Sequence, residues 1–290
     1  MKAIQGVITA LATPFAESGA VDTDAARRLA AHLLEHGSHG LVVAGTTGEC
    51  PTLTDEEEID LLRAVRAEVG DAPLLVCGTG TNDTRHSCEL TKMAAEAGAD
   101  ASLVVAPYYN KPNRAGLRAH FEAVAEAVPE LPMVMYNIPS RVIVNMPPDL
   151  LAELGAIPNV VAVKQANDDE LGPIEGLTIL AGNDNTFLRV LEFGGAGGIT
   201  VASHVVGEQM REMWDAAQRG DLDRAREIDS ELTPVYEGLS VTTNPIPVKA
   251  ALEMLGLASG RLRLPLVAAD PEQRAAIKTA LEGSGLPVAG

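Results

Sequence analysis

The chain holds six lysines, and five of them (Lys2, Lys92, Lys111, Lys249 and Lys278) fall at a terminus, in loops or on polar helices. Lys164 alone ends an apolar run, Val160-Val161-Ala162-Val163-Lys164. On the residues alone it reads in two ways, as a structural ion-pair partner at a fraying strand end or as an amine nucleophile. A solvated lysine, with a pKa of about 10.4, is only roughly one part in a thousand free amine near neutrality. Burial among apolar strands penalises the ammonium and lowers that pKa, which opens Schiff-base chemistry with a carbonyl substrate. Such chemistry also needs a proton carrier and a holder for an anionic group. Three of the four tyrosines, Tyr108, Tyr109 and Tyr136, end other apolar runs and can supply the first. Gly45-Thr46-Thr47-Gly48 can supply the second, because glycines let backbone N–H groups come close and hydroxyls add donors.

These residues must be gathered by the elements that carry them. Eight short runs rich in Val, Ile, Leu and Ala recur, at Gly6–Leu11, Gly40–Ala44, Pro73–Cys77, Ala101–Ala106, Pro132–Tyr136, Val160–Lys164, Thr178–Ala181 and Gly198–Val201. Each is apolar at consecutive positions, the pattern of a strand covered on both faces. Between most of them lie stretches of helical period: Thr23–Glu35, Thr54–Glu68 with a capping box at Thr54-Asp55-Glu56-Glu57, Thr84–Ala97 and Ala115–Val128. Alternation of this kind predicts an α/β fold with a parallel sheet, and eight strands close into a (β/α)8 TIM barrel; an open doubly wound sheet is the competing architecture. Only about a dozen residues separate Lys164 from the seventh run, room for a stub of helix at most. After Glu208–Gln218, the stretches Asp223–Leu232, Pro247–Leu255 and Pro271–Glu282 read as helices. The expected organisation is a catalytic barrel over residues 1–220 and a C-terminal helical segment over 221–290. In such a barrel, chemistry sits at the C-terminal strand ends, where the residues above all fall.

Composition narrows the function. The 290 residues carry 22 Lys plus Arg against 40 Asp plus Glu, a net charge of −18 that repels a phosphate backbone and argues against a nucleic-acid partner. Hydrophobic residues make up 46% and charged ones 21%, enough to bury a core and too balanced for disorder. No apolar run reaches 18 residues, so no membrane span is expected. Thr9, Thr13 and Pro14 interrupt the apolar N-terminal run, which reads as a first strand rather than a signal peptide. Three cysteines, Cys50, Cys77 and Cys88, show no CxxC spacing and point to a reducing cytoplasm.

Taken together, GTTGE at 45–49, PYYNKP at 107–112, YNIPSR at 136–141, the lysine of the sixth run and NPIPVK at 244–249 make the chain similar to the dihydrodipicolinate synthase / N-acetylneuraminate lyase family of class I aldolases, over essentially its whole length. The resemblance implies that Lys164 forms a Schiff base with pyruvate and that Tyr136 is the general acid/base beside it. It implies a hydroxyl relay through Thr46 and Tyr109, the latter lent by the neighbouring subunit of a tight dimer. It further implies that Thr47 and the amides of its turn hold the pyruvate carboxylate, that a backbone carbonyl at Ile199 faces the site, and that Arg141 meets the carboxylate of the second substrate. The implied reaction joins pyruvate to aspartate 4-semialdehyde, giving 4-hydroxy-tetrahydrodipicolinate for lysine and diaminopimelate biosynthesis, with no metal or organic cofactor. The implied assembly is a homotetramer built from tight dimers. The alternatives are a pyruvate-dependent lyase or aldolase acting on a sugar acid or another 2-keto acid, and a non-catalytic ligand-binding barrel. Where members commonly carry an acidic residue after the lysine, this chain has Gln165, and Arg141 is followed by Val142-Ile143 rather than Thr-Gly. Lysine-sensitive members carry histidine and glutamate at positions matching Asp55, Glu58 and His86, so lysine inhibition is expected to be weak or absent.

Other signals carry less. His32, His36 and His39 have ligand-like spacing but fall toward the opposite rim, and no metal site is expected there. Gly194-Gly195-Ala196-Gly197-Gly198 enters a strand rather than leaving one, so it reads as a tight turn and not a phosphate cradle. Asn244-Pro245-Ile246-Pro247 reads as a structural turn opening a helix.

Overall fold

The computed structural model describes residues 2–288. Eight parallel strands form a closed barrel in chain order: β1 (Gly6–Ala10), β2 (Gly40–Val43), β3 (Leu74–Gly78), β4 (Ala101–Val105), β5 (Met133–Asn137), β6 (Val160–Gln165), β7 (Thr178–Ala181) and β8 (Gly197–Thr200). All eight expected strands are present, each within a residue or so of its sequence bounds, and the barrel rather than the open sheet is the architecture. Closure is made by β1 and β8, with Ile8 opposite Ile199 and Thr9 opposite Thr200.

The outer layer begins with α1 (Thr23–Glu35), α2 (Asp55–Val69), α3 (Thr84–Glu96) and α4 (Arg114–Ala127). Their starts follow from local chemistry. Asp22, Asp83 and Asn113 accept amide hydrogens of the first turns of α1, α3 and α4, and Thr54 and Glu57 complete a reciprocal capping box on α2. Two short helices that the sequence reading passes over follow β5, namely α5 (Pro139–Val142) and α6 (Pro148–Leu154), both with proline in the first turn. Between β6 and β7 there is only a 3₁₀ turn at Asp168–Glu170, as the short connection requires. The helices α7 (Phe187–Glu192) and α8 (Ser203–Gln218) complete the ring. α8 starts five residues before the expected Glu208, because Val206 interrupts its opening turns with non-helical φ/ψ and hides the period.

Three helices follow: α9 (Leu222–Gly238), α10 (Ile246–Met254) and α11 (Pro271–Gly283). α9 runs past Leu232 and through Pro234. A proline inside a helix removes one backbone hydrogen bond, yet Ala225, Ile228, Leu232, Val235 and Leu239 keep one buried face across it, and packing prevails. Among the described residues no helix is long and apolar enough to cross a membrane.

Two glycines are demanded by close approach. Gly197 has φ +120°, and a side chain there would run into the Gly6 backbone across the β1–β8 seam. A Cβ on Gly78 would strike the carbonyl oxygen of Ala44, the residue that follows β2 and leads into the Gly45–Gly48 turn. Gly78→Ala should therefore cost about 1–3 kcal/mol through forced backbone shifts, measured as a lowered urea midpoint.

Candidate active site

Tyr136 and Lys164 are direct partners in the β5–β6 register. The alternation of strand side chains then sends both the same way at neighbouring barrel positions, and Lys164 Nζ lies 4.3 Å from the centre of the Tyr136 ring. Lys164 is 5% exposed and makes no salt bridge among the described residues. Burial lowers its pKa to about 8, with Asp184 opposing the shift and Arg141 adding to it. A group with that pKa is roughly one-tenth free amine near pH 7, so it can attack a carbonyl without a prior deprotonation by base. Burial pushes the Tyr136 phenol up to about 12, with Arg141 and the Thr46 hydroxyl pulling it back. It stays protonated at neutral pH, ready to give a proton.

One cavity of about 630 Å³ is lined by Thr46, Thr47, Tyr136, Arg141 and Lys164 together with Asp184. Five of the seven residues singled out in the sequence thus share it. Two do not. Tyr109 stands on the loop after β4, 85% exposed with φ +73°, and does not line the cavity. Ile199 is wholly buried in β8 opposite Ile8, and its side chain is not among the lining groups.

The Gly45–Gly48 turn is held from outside the barrel. Asn244 Nδ2 donates to Thr47 Oγ1 at 3.0 Å. Glu49, with φ +59° and its side chain buried, forms an ion pair with Lys249 of α10, and its second carboxylate oxygen accepts the Arg263 N–H at 3.0 Å. Lys249 corrects the sequence reading, which left it on a polar helix: it is 1% exposed, more deeply buried than Lys164. Burial lowers both ammonium pKa values, but the Glu49 carboxylate beside Lys249 pulls that one back toward the charged form, whereas Lys164 has no ion-pair partner among the described residues. The pairing separates the two lysines chemically, and nothing in the local sequence of Lys249 announces it. Asn244 likewise does more than open a helix.

Arg141 sits on α5, exposed at the cavity mouth, and donates to the Asn244 carbonyl at 3.1 Å. The two residues after it diverge: Val142 is buried in the core, while Ile143 is 65% exposed with φ +70°. Gln165, next to the lysine, accepts from Asn137 Nδ2 at 3.0 Å, and Asn137 also binds both Met146 backbone groups, tying the end of β5 to the segment after α5. Asp184 follows β7, and its carboxylate accepts the Val201 N–H at 2.8 Å. The rule that strand ends carry chemistry points to Asp184 as well, but with no motif to single it out.

A second cavity of about 400 Å³ adjoins the first, sharing Thr46, Tyr136 and Arg141. Its walls include Asp55, Glu58 and His86. His86 Nε2 lies 3.0 Å from both Asp55 oxygens. Burial, reinforced by Asp55, raises the Glu58 carboxyl to about 8. On the opposite rim, His39 Nδ1 accepts the Val7 N–H at 3.0 Å and His32 stacks on His36. The glycine run at 194–198 forms the turn from α7 into β8, with Gly195 N–H bonded to the Val190 carbonyl.

The model of the dihydrodipicolinate synthetase family matches residues 3–284. A 4-hydroxy-tetrahydrodipicolinate synthase from Cyanothece sp. (strain PCC 7425 / ATCC 29141) is 46% identical over 287 residues, covering 97% of this chain and 98% of that one. Another from Moorella thermoacetica is 46% identical over 288 residues, covering 97% and 98%. Among solved structures, the chloride-inhibited dihydrodipicolinate synthase from Acinetobacter baumannii complexed with pyruvate superposes with a TM-score of 0.95 at 35% identity, covering 98% of this chain and 100% of its own. The enzyme from Cyanidioschyzon merolae with lysine bound gives 0.93 at 40% identity, covering 98% and 99%.

The Glu49–Lys249 pair yields a stability test. Lys249→Met strands a buried carboxylate and should cost about 3–5 kcal/mol. Adding Glu49→Gln should recover part of that loss, and urea unfolding of the single and double variants measures the difference.

Proposed function

The chain belongs to the dihydrodipicolinate synthetase family, and from that premise we propose that it condenses pyruvate with aspartate 4-semialdehyde to 4-hydroxy-tetrahydrodipicolinate through a Schiff base on Lys164. The observation that carries this reading is a buried lysine without a salt bridge, with its ammonium disfavoured, beside a protonated tyrosine in one cavity. The barrel over residues 1–220 carries the chemistry, and residues 221–290 brace it.

The free amine of Lys164 attacks the pyruvate ketone. The carbinolamine loses its hydroxyl as water, taking a proton from the Tyr136 phenol, and an iminium forms. The iminium draws electrons from the neighbouring C–H bond. A methyl proton returns to the Tyr136 phenolate, leaving an enamine. The enamine carbon attacks the aldehyde of the second substrate, the aldehyde oxygen takes the proton of the Tyr136 phenol, and the phenolate then takes a proton from the substrate ammonium to leave a neutral amine. The substrate amine then adds to the iminium carbon, the C–N bond to Lys164 breaks, and its electron pair returns to Nζ as the ring closes. The lysine is its own electron sink, so the sequence as written calls on no metal or organic cofactor.

Thr47 and the amides of its turn take the pyruvate carboxylate, and Arg141 at the mouth takes that of the second substrate. Ile199 contributes its backbone carbonyl. Thr46 carries protons from Tyr136 toward Tyr109 of a neighbouring subunit. A tyrosine standing this far outside its own fold, on left-handed backbone, suits a residue lent across an interface. The assembly is a homotetramer of tight dimers, working in the cytoplasm.

Pyruvate followed by borohydride should leave a mass adduct on the peptide containing Lys164, absent in Lys164→Ala, and the untreated enzyme should turn over aspartate 4-semialdehyde faster than N-acetylmannosamine or glyceraldehyde. With a lysine pKa of about 8, kcat/KM for pyruvate should rise with pH and level off above about 8, because only the neutral amine attacks. A flat profile from pH 6 to 9 would sink the neutral-amine account. In the second cavity, the Asp55 carboxylate opposes a ligand carboxylate, so a lysine titration of activity should reach no half-inhibition at sub-millimolar concentration.

A further inference from the structure

The fourth tyrosine, Tyr236, lies on α9, far in sequence from the strand ends, yet it lines the same cavity as Lys164. It is 5% exposed, and its hydroxyl is buried with no hydrogen-bond partner among the described residues. Two more residues of this lining each carry a polar atom that is buried and unpartnered in the same way, Asp229 Oδ1 on α9 and Asn244 Oδ1. Asp229, Thr233 and Tyr236 follow one another at spacings of four and three and make a single polar stripe on α9. A buried polar group without a partner is costly, and such groups in a native fold call for a ligand or water to satisfy them.

The charges say which ligand. Arg141 stands at the mouth of the cavity, whereas the α9 side carries Asp229 and Glu237, with Asp184 also on the wall. All three unpartnered atoms can accept a hydrogen bond, and an ammonium offers three donors. We propose that Tyr236 and Asp229 bind the ammonium group of the second substrate, while Arg141 takes its carboxylate, so that the α9 wall selects an amino-aldehyde. The proposal rests on the condensation reading above and assigns the part of the second substrate which that reading leaves unheld. Burial, reinforced by Glu192, raises the Asp229 carboxyl to about 6. It is ionised at neutral pH but poorly solvated, and it gains most when a cation arrives. Tyr236 feels both Asp184 and Asp229, which with burial hold its phenol protonated. Its hydroxyl can thus donate to a carboxylate while its lone pair accepts from the ammonium.

The test compares Tyr236→Phe and Asp229→Asn with the unaltered enzyme, using aspartate 4-semialdehyde as substrate and succinate semialdehyde, the same chain without the amino group, as inhibitor. Each variant should raise KM for the amino-aldehyde about tenfold, the size of a lost hydrogen bond to a charged group. Succinate semialdehyde inhibition, KM for pyruvate and the borohydride-trapped adduct should stay within about twofold. Equal weakening toward both aldehydes, no change toward either, or loss of trapping would overturn the proposal, because the wall would then be shaping the cavity rather than reading the amine. An unaltered enzyme that traps pyruvate but does not turn over aspartate 4-semialdehyde would instead bring down the condensation reading, and this proposal with it.

Discussion

The structure turns on keeping one amine out of water and out of a salt bridge. An ammonium at Lys164 must be disfavoured, yet a lysine buried in a fold this rich in carboxylates would ordinarily find a counter-ion and stay charged. The barrel prevents that by register. Lys164 faces Tyr136 across adjacent strands, so its near neighbour is an aromatic ring whose hydroxyl is itself held neutral. Asp184, the carboxylate that acts on Lys164, is occupied by the Val201 amide. The same chain shows the opposite solution at Lys249, also buried but paired with Glu49. The two lysines differ in partner rather than in depth.

The second constraint concerns the turn after β2. A loop that presents amides and hydroxyls to an anion must not relax, and its own bonds are few: the Gly48 and Cys50 N–H groups to the Gly45 carbonyl and Glu49 N–H to the Thr46 carbonyl. The remaining rigidity comes from the C-terminal segment, through Asn244 before α10, Lys249 on α10 and Arg263 between α10 and α11. The segment after the barrel is therefore part of the site at two places, bracing the turn and forming the α9 wall. Arg263 extends the brace with a bidentate pair to Glu57, at 2.6 and 2.7 Å, so that the cap of α2 is tied to the same structure.

Much of this was legible in the sequence. Consecutive apolar residues marked all eight strands, since a barrel strand is covered on both faces, and scarcity made Lys164 and Tyr136 stand out. What the sequence did not disclose was pairing at long range. Lys249 lies 200 residues from Glu49, and neither carries a local pattern that names the other. Tyr236 sits on an amphipathic helix where an aromatic residue reads as core, and only the position of α9 over the barrel mouth turns it toward the cavity. The short helices α5, α6 and α7 fell below the length at which a helical period can be counted, although the prolines that open α5 and α6 were visible. Where family motifs existed, at GTTGE and YNIPSR, the expected residues came together; the lone exposed Tyr109 shows that a motif can place a residue at a rim without placing it in its own pocket.

The long separation between Glu49 and Lys249 has a temporal side. During synthesis the carboxylate leaves the ribosome some two hundred residues ahead of its counter-ion, and the eight strands are all available before α10 exists. The bonds that Glu49 makes to Lys249 and to the Arg263 amide can therefore form only after all eight strands have been synthesised.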